Sequence, residues 1–175
     1  MAHVISLVNQ KGGVGKTTTA VNLGACLAKM GKFVLLLDLD PQANATNGIG
    51  IDSRRENGLY QVFSKKVFIK DAIKKTAMPG YDVLPSSGQL AGARVELVNM
   101  DNREFQLREM IADIRTFYDY IIIDCPPSLD VLTINGLVAS DNVLIPVQSE
   151  YYALEGLGQL LETVELVKAN IQPSL

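Results

Sequence analysis

Residues 9–18 read NQKGGVGKTT, ending in a lysine and two hydroxyls behind a glycine-rich turn. Lysine, hydroxyl and exposed backbone amides are the groups that hold a polyphosphate and its divalent cation. The string departs from the ordinary phosphate loop, G-x-x-x-x-G-K-[ST], at its first position, where Gln10 replaces glycine, and it carries a second lysine, Lys11, that phosphate holding does not require. Gly12, Gly13 and Gly15 let backbone N–H groups approach phosphate oxygens, and the positive end of a following helix adds its field. Lys16 is expected on the β and γ phosphates and Thr17 on Mg²⁺. The competing reading is a glycine-rich turn that happens to precede a lysine.

Phosphoryl chemistry also calls for carboxylates that organise metal and water. Asp38 and Asp40 in DLDPQ, and Asp124 in IIIDCPP, each follow an apolar run. An aspartate there also suits a turn cap. In an open parallel sheet, however, ligands bind at the carboxyl ends of strands, and the glycine loop and these aspartates all fall at such ends.

The elements that must position them follow from the hydrophobic pattern. HVISLVN is a first strand, followed by a helix from Thr17 to about Met30 with Ala20, Leu23, Leu27 and Met30 at helical spacing and Gly31 at its end. KFVLLLD is too continuously apolar for a half-exposed strand and is expected at the centre of the sheet. Asn44 to Asn57 reads as loop, LYQVF and FIKDAIKKT as short helical pieces, and YDVLPSS as a strand. Asn102 to Phe117 is expected to be a helix facing inward through Phe105, Leu107, Met110, Ile111 and Ile114. YDYIIIDCPP is the next strand, Leu132 to Ala139 a helix, NVLIPVQS a buried strand and Tyr152 to about Ala169 a long amphipathic helix. The fold class is α/β: a mostly parallel central sheet flanked by helices on both faces, of the P-loop NTPase type. Residues 1–175 are expected to be one such domain, with NIQPSL leading toward a further C-terminal segment.

At 47% hydrophobic and 20% charged, the chain is not a disordered one, and a net charge of -3 argues against a generally basic nucleic-acid surface. No apolar run reaches the ~20 residues of a membrane span, and MAHVISLVNQ lacks signal-peptide features, so a cytoplasmic location is expected. Cys26 and Cys125 form no metal or disulfide pattern and are expected to be reduced, buried thiols. His3 is expected as a strand-edge residue. Lys65, Lys66, Lys70, Lys74 and Lys75 read as a patch or a solvated face, and Arg94 and Arg103 are equally ambiguous. Tyr151 and Tyr152 suit either a partner contact or packing beside the last helix.

Taken in order, KGGVGKTT, DLDPQ and IIIDCPP resemble the ParA/Soj chromosome and plasmid partition ATPases, the deviant Walker A class to which MinD proteins are related. NLGACLAKMGKFVLLLDLDPQANAT and PVQSEYYALEGL extend the resemblance over nearly all of the chain. It implies ATP and Mg²⁺ as ligands, with the loop Lys11, Gly12, Gly13, Val14, Gly15, Lys16, Thr17 and Thr18 around the nucleotide. It further implies that Lys11 reaches the nucleotide of a partner subunit in a sandwich homodimer, a role like that of an arginine finger. By the same resemblance Lys16 and Thr17 hold phosphate and Mg²⁺, Asp40 orients the attacking water, Asp124 holds Mg²⁺ through water and Asp38 assists near the metal. The implied function is DNA segregation: the ATP dimer binds DNA without sequence preference, and a ParB-type partner triggers slow hydrolysis and release. Nucleoid association would accompany DNA binding, although the family's DNA surface lies in a C-terminal portion. Three alternatives stand beside this reading: a MinD-like ATPase, which needs a basic amphipathic C-terminal helix; a small-molecule synthetase; and a fragment that folds without turning over ATP.

Overall fold

Every residue of VLLLD is buried, as a strand covered on both faces requires. In the computed structural model, which describes residues 1–54, 57–149 and 155–175, this run is β2 (Val34–Asp38). It lies within a sheet containing β1 (His3–Leu7), β3 (Lys74–Lys75), β4 (Tyr81–Leu84), β5 (Tyr120–Asp124) and β6 (Asn142–Leu144). The order across the sheet is β3-β4-β2-β5-β1-β6. All pairings are parallel except the edge pair β3/β4.

The strand period of two sorts the apolar side chains into two cores. Val34 and Leu36 join Leu7, Val83 and Ile122 under α1 (Lys16–Lys29) and α2 (Asn44–Gly48). Leu35 and Leu37 join Val4, Ile121 and Ile123 on the opposite face. That face is covered by α3 (Leu59–Phe63), α4 (Ile69–Ala72), α5 (Leu90–Val98), α6 (Gln106–Ala112), α7 (Val131–Ala139) and α8 (Glu155–Asn170). Each fully buried leucine contributes roughly 1.5–3 kcal/mol, so the two-sided burial of β2 anchors the sheet's centre.

Register sets the site. Leu7 and Asp38 both align with Asp124, so the ends of β1, β2 and β5 reach one edge together. The phosphate loop leaves β1 at that edge.

Several expectations need correction. Asn44 to Asn57 is not all loop, because Asn44–Gly48 forms α2 after Ala43 takes a left-handed conformation (φ 54°). FIKDAIKKT is helical only over Ile69–Ala72. Lys74 and Lys75 then pair antiparallel with Val83 and Asp82, and Lys75 donates to Asp82 at 2.7 Å. Lysines at a sheet edge also discourage further strand pairing. The helix expected over Asn102 to Phe117 is regular only over Gln106–Ala112, although Leu107, Ile111 and Ile114 are buried as expected.

NVLIPVQS is not a buried strand. Only Asn142–Leu144 pair, at the edge beside β1 and partly exposed; Pro146 has no N–H to extend the ladder. On α1 the buried stripe runs through Ala20, Gly24 and Ala28, while Met30 is 75% exposed. Cys125 is buried but Cys26 is exposed, against expectation. His3 opens β1 half exposed, with Nδ1 3.8 Å from Asp141. Tyr151 and Tyr152 lie outside the described residues. Among the described residues no helix is long and apolar enough to cross a membrane.

Candidate nucleotide-phosphate site

Between β1 and α1 the chain turns twice through left-handed backbone, at Gly13 (φ 76°) and Gly15 (φ 89°). A side chain at either position would strain the loop, which explains these two glycines directly. Gly15 caps α1 without a side chain, leaving the first-turn amides of a 14-residue helix to face an anion.

These residues open onto a cavity of about 450 Å³ lined by Gly12, Gly13, Gly15, Lys16, Thr17, Thr18, Asp40, Gln42, Asn44 and Pro127. Most of the expected loop residues are therefore brought together. Val14 and Lys11 are not among the lining residues, and the Val14 side chain is buried. Lys11 takes part through its backbone: its carbonyl accepts from Lys16 Nζ at 3.2 Å.

Lys16 itself is buried, and desolvation lowers its proton affinity, opposed by the fields of Asp124, Asp40 and Cys125. Asp124 sits at the end of β5 with 1% exposure, and neither of its oxygens has a hydrogen-bond partner. Burial, reinforced by Asp38 and Asp40, pushes its pKa up to about 7. The Thr17 hydroxyl favours the charged form without completing a hydrogen bond of good geometry to either oxygen. An orphaned buried carboxylate costs free energy unless a cation or water meets it. The residues present thus fit one Mg²⁺: the Thr17 hydroxyl and the buried Asp124 carboxylate are oxygen donors of the kind that cation takes, directly or through water. Among the described residues no cluster of three or more acidic, histidine or cysteine side chains is arranged to bind a metal unaided.

Asp38, expected beside the metal, has both oxygens engaged elsewhere. Oδ2 accepts from the amide (2.8 Å) and hydroxyl (2.7 Å) of Thr46, and Oδ1 accepts from the Asp40 amide at 3.2 Å. Its burial raises the carboxyl pKa to about 6 despite these bonds. Thr46 Oγ1 in turn accepts from the Ser86 amide at 2.9 Å, and Ser86 Oγ donates to the Asp40 carbonyl at 2.7 Å. Asp38 therefore acts on the cavity by fixing the backbone of Asp40, whose carboxylate also accepts from the Gln42 amide.

Sequence reasoning missed Thr46, Ser86 and Asn9. Asn9 Oδ1 accepts from the Lys11 amide at 3.0 Å, while its Nδ2 donates to the Pro146 carbonyl at 2.7 Å, tying the loop to the chain beyond β6. A buried Asn directly before the loop was the one available signal; Thr46 and Ser86 carry none.

The chain's residues 2–175 match the family model described as an AAA domain. The chain is 55% identical to the sporulation initiation inhibitor protein Soj of Bacillus subtilis, over all of this chain and 70% of that protein. It is 51% identical to the chromosome partitioning protein ParA of Myxococcus xanthus, over all of this chain and 62% of that one. Among solved structures, a cobyrinic acid a,c-diamide synthase from Mycobacterium smegmatis with bound ADP and magnesium superposes with a TM-score of 0.96 at 41% identity, covering all of this chain and 71% of the synthase.

Proposed function

Because the chain belongs to the Soj/ParA family of chromosome-partitioning ATPases, we propose that it binds ATP with Mg²⁺ and hydrolyses it slowly as the switch of a DNA-partition device. The observation that carries the reading is Asp124: a buried carboxylate with no partner, facing Thr17 and Lys16 at the mouth of a glycine loop. Mg²⁺, when bound, would offset the negative charge that develops on the phosphates. Thr17 and, through water, Asp124 would hold it. The α1 amides and Lys16 bind the β and γ phosphates, and Asp40, fixed by Asp38 and Ser86, orients water on the γ phosphate.

Lys11, the second lysine that phosphate holding does not require, is the residue that reaches a second copy. In the proposed cycle, ATP bridges two chains, each supplying Lys11 to the other's phosphates. The dimer binds DNA without sequence preference, and a ParB-type protein speeds hydrolysis and releases it. Residues 1–175 form the P-loop unit, the protein is cytoplasmic, and nucleoid association accompanies DNA binding.

Light scattering with Mg-ATP and with Mg-ADP tests this, using Asp40→Ala to hold the ATP state. A dimer with ATP alone, lost in Lys11→Ala though that variant still binds nucleotide, is expected. A monomer in both nucleotides would sink the sandwich for this chain. Lys16→Ala is expected to lose nucleotide binding altogether.

The likeness to the synthase favours a second reading, ATP-dependent amidation of a small acid. A polar cavity of about 390 Å³ lined by Ser53, Arg54, Asn57, Gln61, Ser87, Gly88 and Gln89 supports it by offering a place for such a substrate beside Ser86. Turnover stimulated by ParB-type protein plus DNA separates the two, since a synthetase should ignore both.

A further inference from the structure

On the side of the sheet away from the phosphate loop, a cavity of about 440 Å³ lies between the end of α3, α4 and α6. Val62, Val67, Phe68, Ile69 and Met110 give it an apolar lining. Phe68 stands 82% exposed at its rim, and Phe117, which leads into β5 at the amino edge of the sheet, is 60% exposed nearby. Apolar side chains of this size in water mark an interaction surface when they are contiguous.

The rim is cationic. Lys65, Lys66 and Lys70 line the cavity against one acid, Asp113, in a chain whose net charge is -3. Two of the lysines rest on aromatic faces: Lys66 Nζ lies 5.6 Å from the Tyr60 ring centre and Lys70 Nζ 5.1 Å from that of Phe117. These contacts hold the charges near the groove instead of letting them swing into solvent.

Lys65 adds an independent sign. It closes α3 in a Schellman motif: its amide donates to the Val62 carbonyl and the Lys66 amide to the Gln61 carbonyl. The residue at this position takes the left-handed conformation (φ 57°), where glycine is the unstrained choice. Local strain retained at an exposed side chain points to function.

The geometry points to a docking site for an acidic amphipathic segment of a partner protein, its apolar side chains in the groove and its carboxylates on Lys65, Lys66 and Lys70. A concave apolar lining does nothing for DNA phosphates. The chain's net negative charge repels an anionic membrane. A carboxylate-bearing helix or strand matches both the lining and the rim, and the site leaves the nucleotide cavity open. This inference does not rest on the nucleotide reading.

The test is fluorescence anisotropy with a labelled amphipathic peptide carrying Glu on one face and Leu and Phe on the other, against a counterpart with Lys in place of Glu. The wild-type chain is expected to bind the acidic peptide at least about tenfold more tightly than the basic one, a preference that Lys65→Glu/Lys66→Glu/Lys70→Glu removes, whereas Phe68→Ser weakens binding of the acidic peptide at least about tenfold. Lys65→Gly keeps the fold assessable: it is expected to raise Tm while weakening the peptide. Equal binding of both peptides would overturn the proposal. So would capture of duplex DNA or phosphatidylserine vesicles by the same lysines with Phe68→Ser indifferent.

Discussion

At the scale of single residues, Asp124 shows how a site stores cost in the nucleotide-free fold. Its carboxyl is held near pKa 7 chiefly by burial, against about 4 in an unfolded chain. Between those values the folded state binds more protons than the unfolded one, so this group's contribution to stability is present below pH ~4 and is lost as pH rises through 7. Asp124→Asn removes the charge but not the shape. In a Mg- and nucleotide-free thermal melt at pH 8, the variant is expected to unfold several degrees above wild type, and the gap should close toward pH 5. ATP hydrolysis should be lost at every pH. A variant less stable than wild type at pH 8 would refute the account. That Asp124, Lys16 and Thr17 would lie close together was legible, because the glycine loop and the aspartate each follow an apolar strand. The hydrogen bonds of Asp38 were not legible: its bonds to Thr46 and Asp40 depend on how α2 folds back, which no local pattern encodes.

Among elements, the legible ones were those whose pattern is one-sided or uniformly apolar. VLLLD announced a central strand, YIIID a strand, and α6 its inner face. α5 did not, since Val95 and Val98 are exposed apolar residues that blur the stripe of Leu90, Ala93 and Leu97. β3 is two lysines whose strand character comes from pairing with β4 alone. Packing between elements is also hidden from periodicity, as α7 illustrates. A Cβ on Gly136 would lie 2.8 Å from Cys125 Sγ and 3.3 Å from Leu39, so glycine is what lets α7 approach the strand end that carries Asp124. Gly136→Ala is expected to cost roughly 1–3 kcal/mol in urea denaturation. Adding Cys125→Ala should recover part of that loss, whereas strictly additive effects would show that the clash is relieved elsewhere.

For the molecule as a whole, the sequence implied that loop and aspartates would meet at one edge, and the shared register of Leu7, Asp38 and Asp124 is how they do. The strand order β3-β4-β2-β5-β1-β6 was not legible, because it depends on which crossovers pack best and not on any one segment. Ligand linkage reads the assembled site globally. A ligand at a hundred times its Kd stabilises by about 2.7 kcal/mol, which is worth roughly 5–10 °C in Tm for a chain of this size. Mg-ADP should give such a shift in wild type and in Lys11→Ala, and none in Lys16→Ala, because Lys16 is the proposed grip on phosphates bound by its own chain. Mg-ATP, in an Asp40→Ala background, adds a second linkage if nucleotide joins two copies: Tm should then climb as protein concentration is raised, which a monomer's Tm cannot do. Lys11→Ala should flatten that dependence while keeping the shift itself. A Tm independent of protein concentration with ATP would confine the site to binding within one chain, and Lys11 would then be a loop lysine whose carbonyl, not its charge, serves the phosphate site.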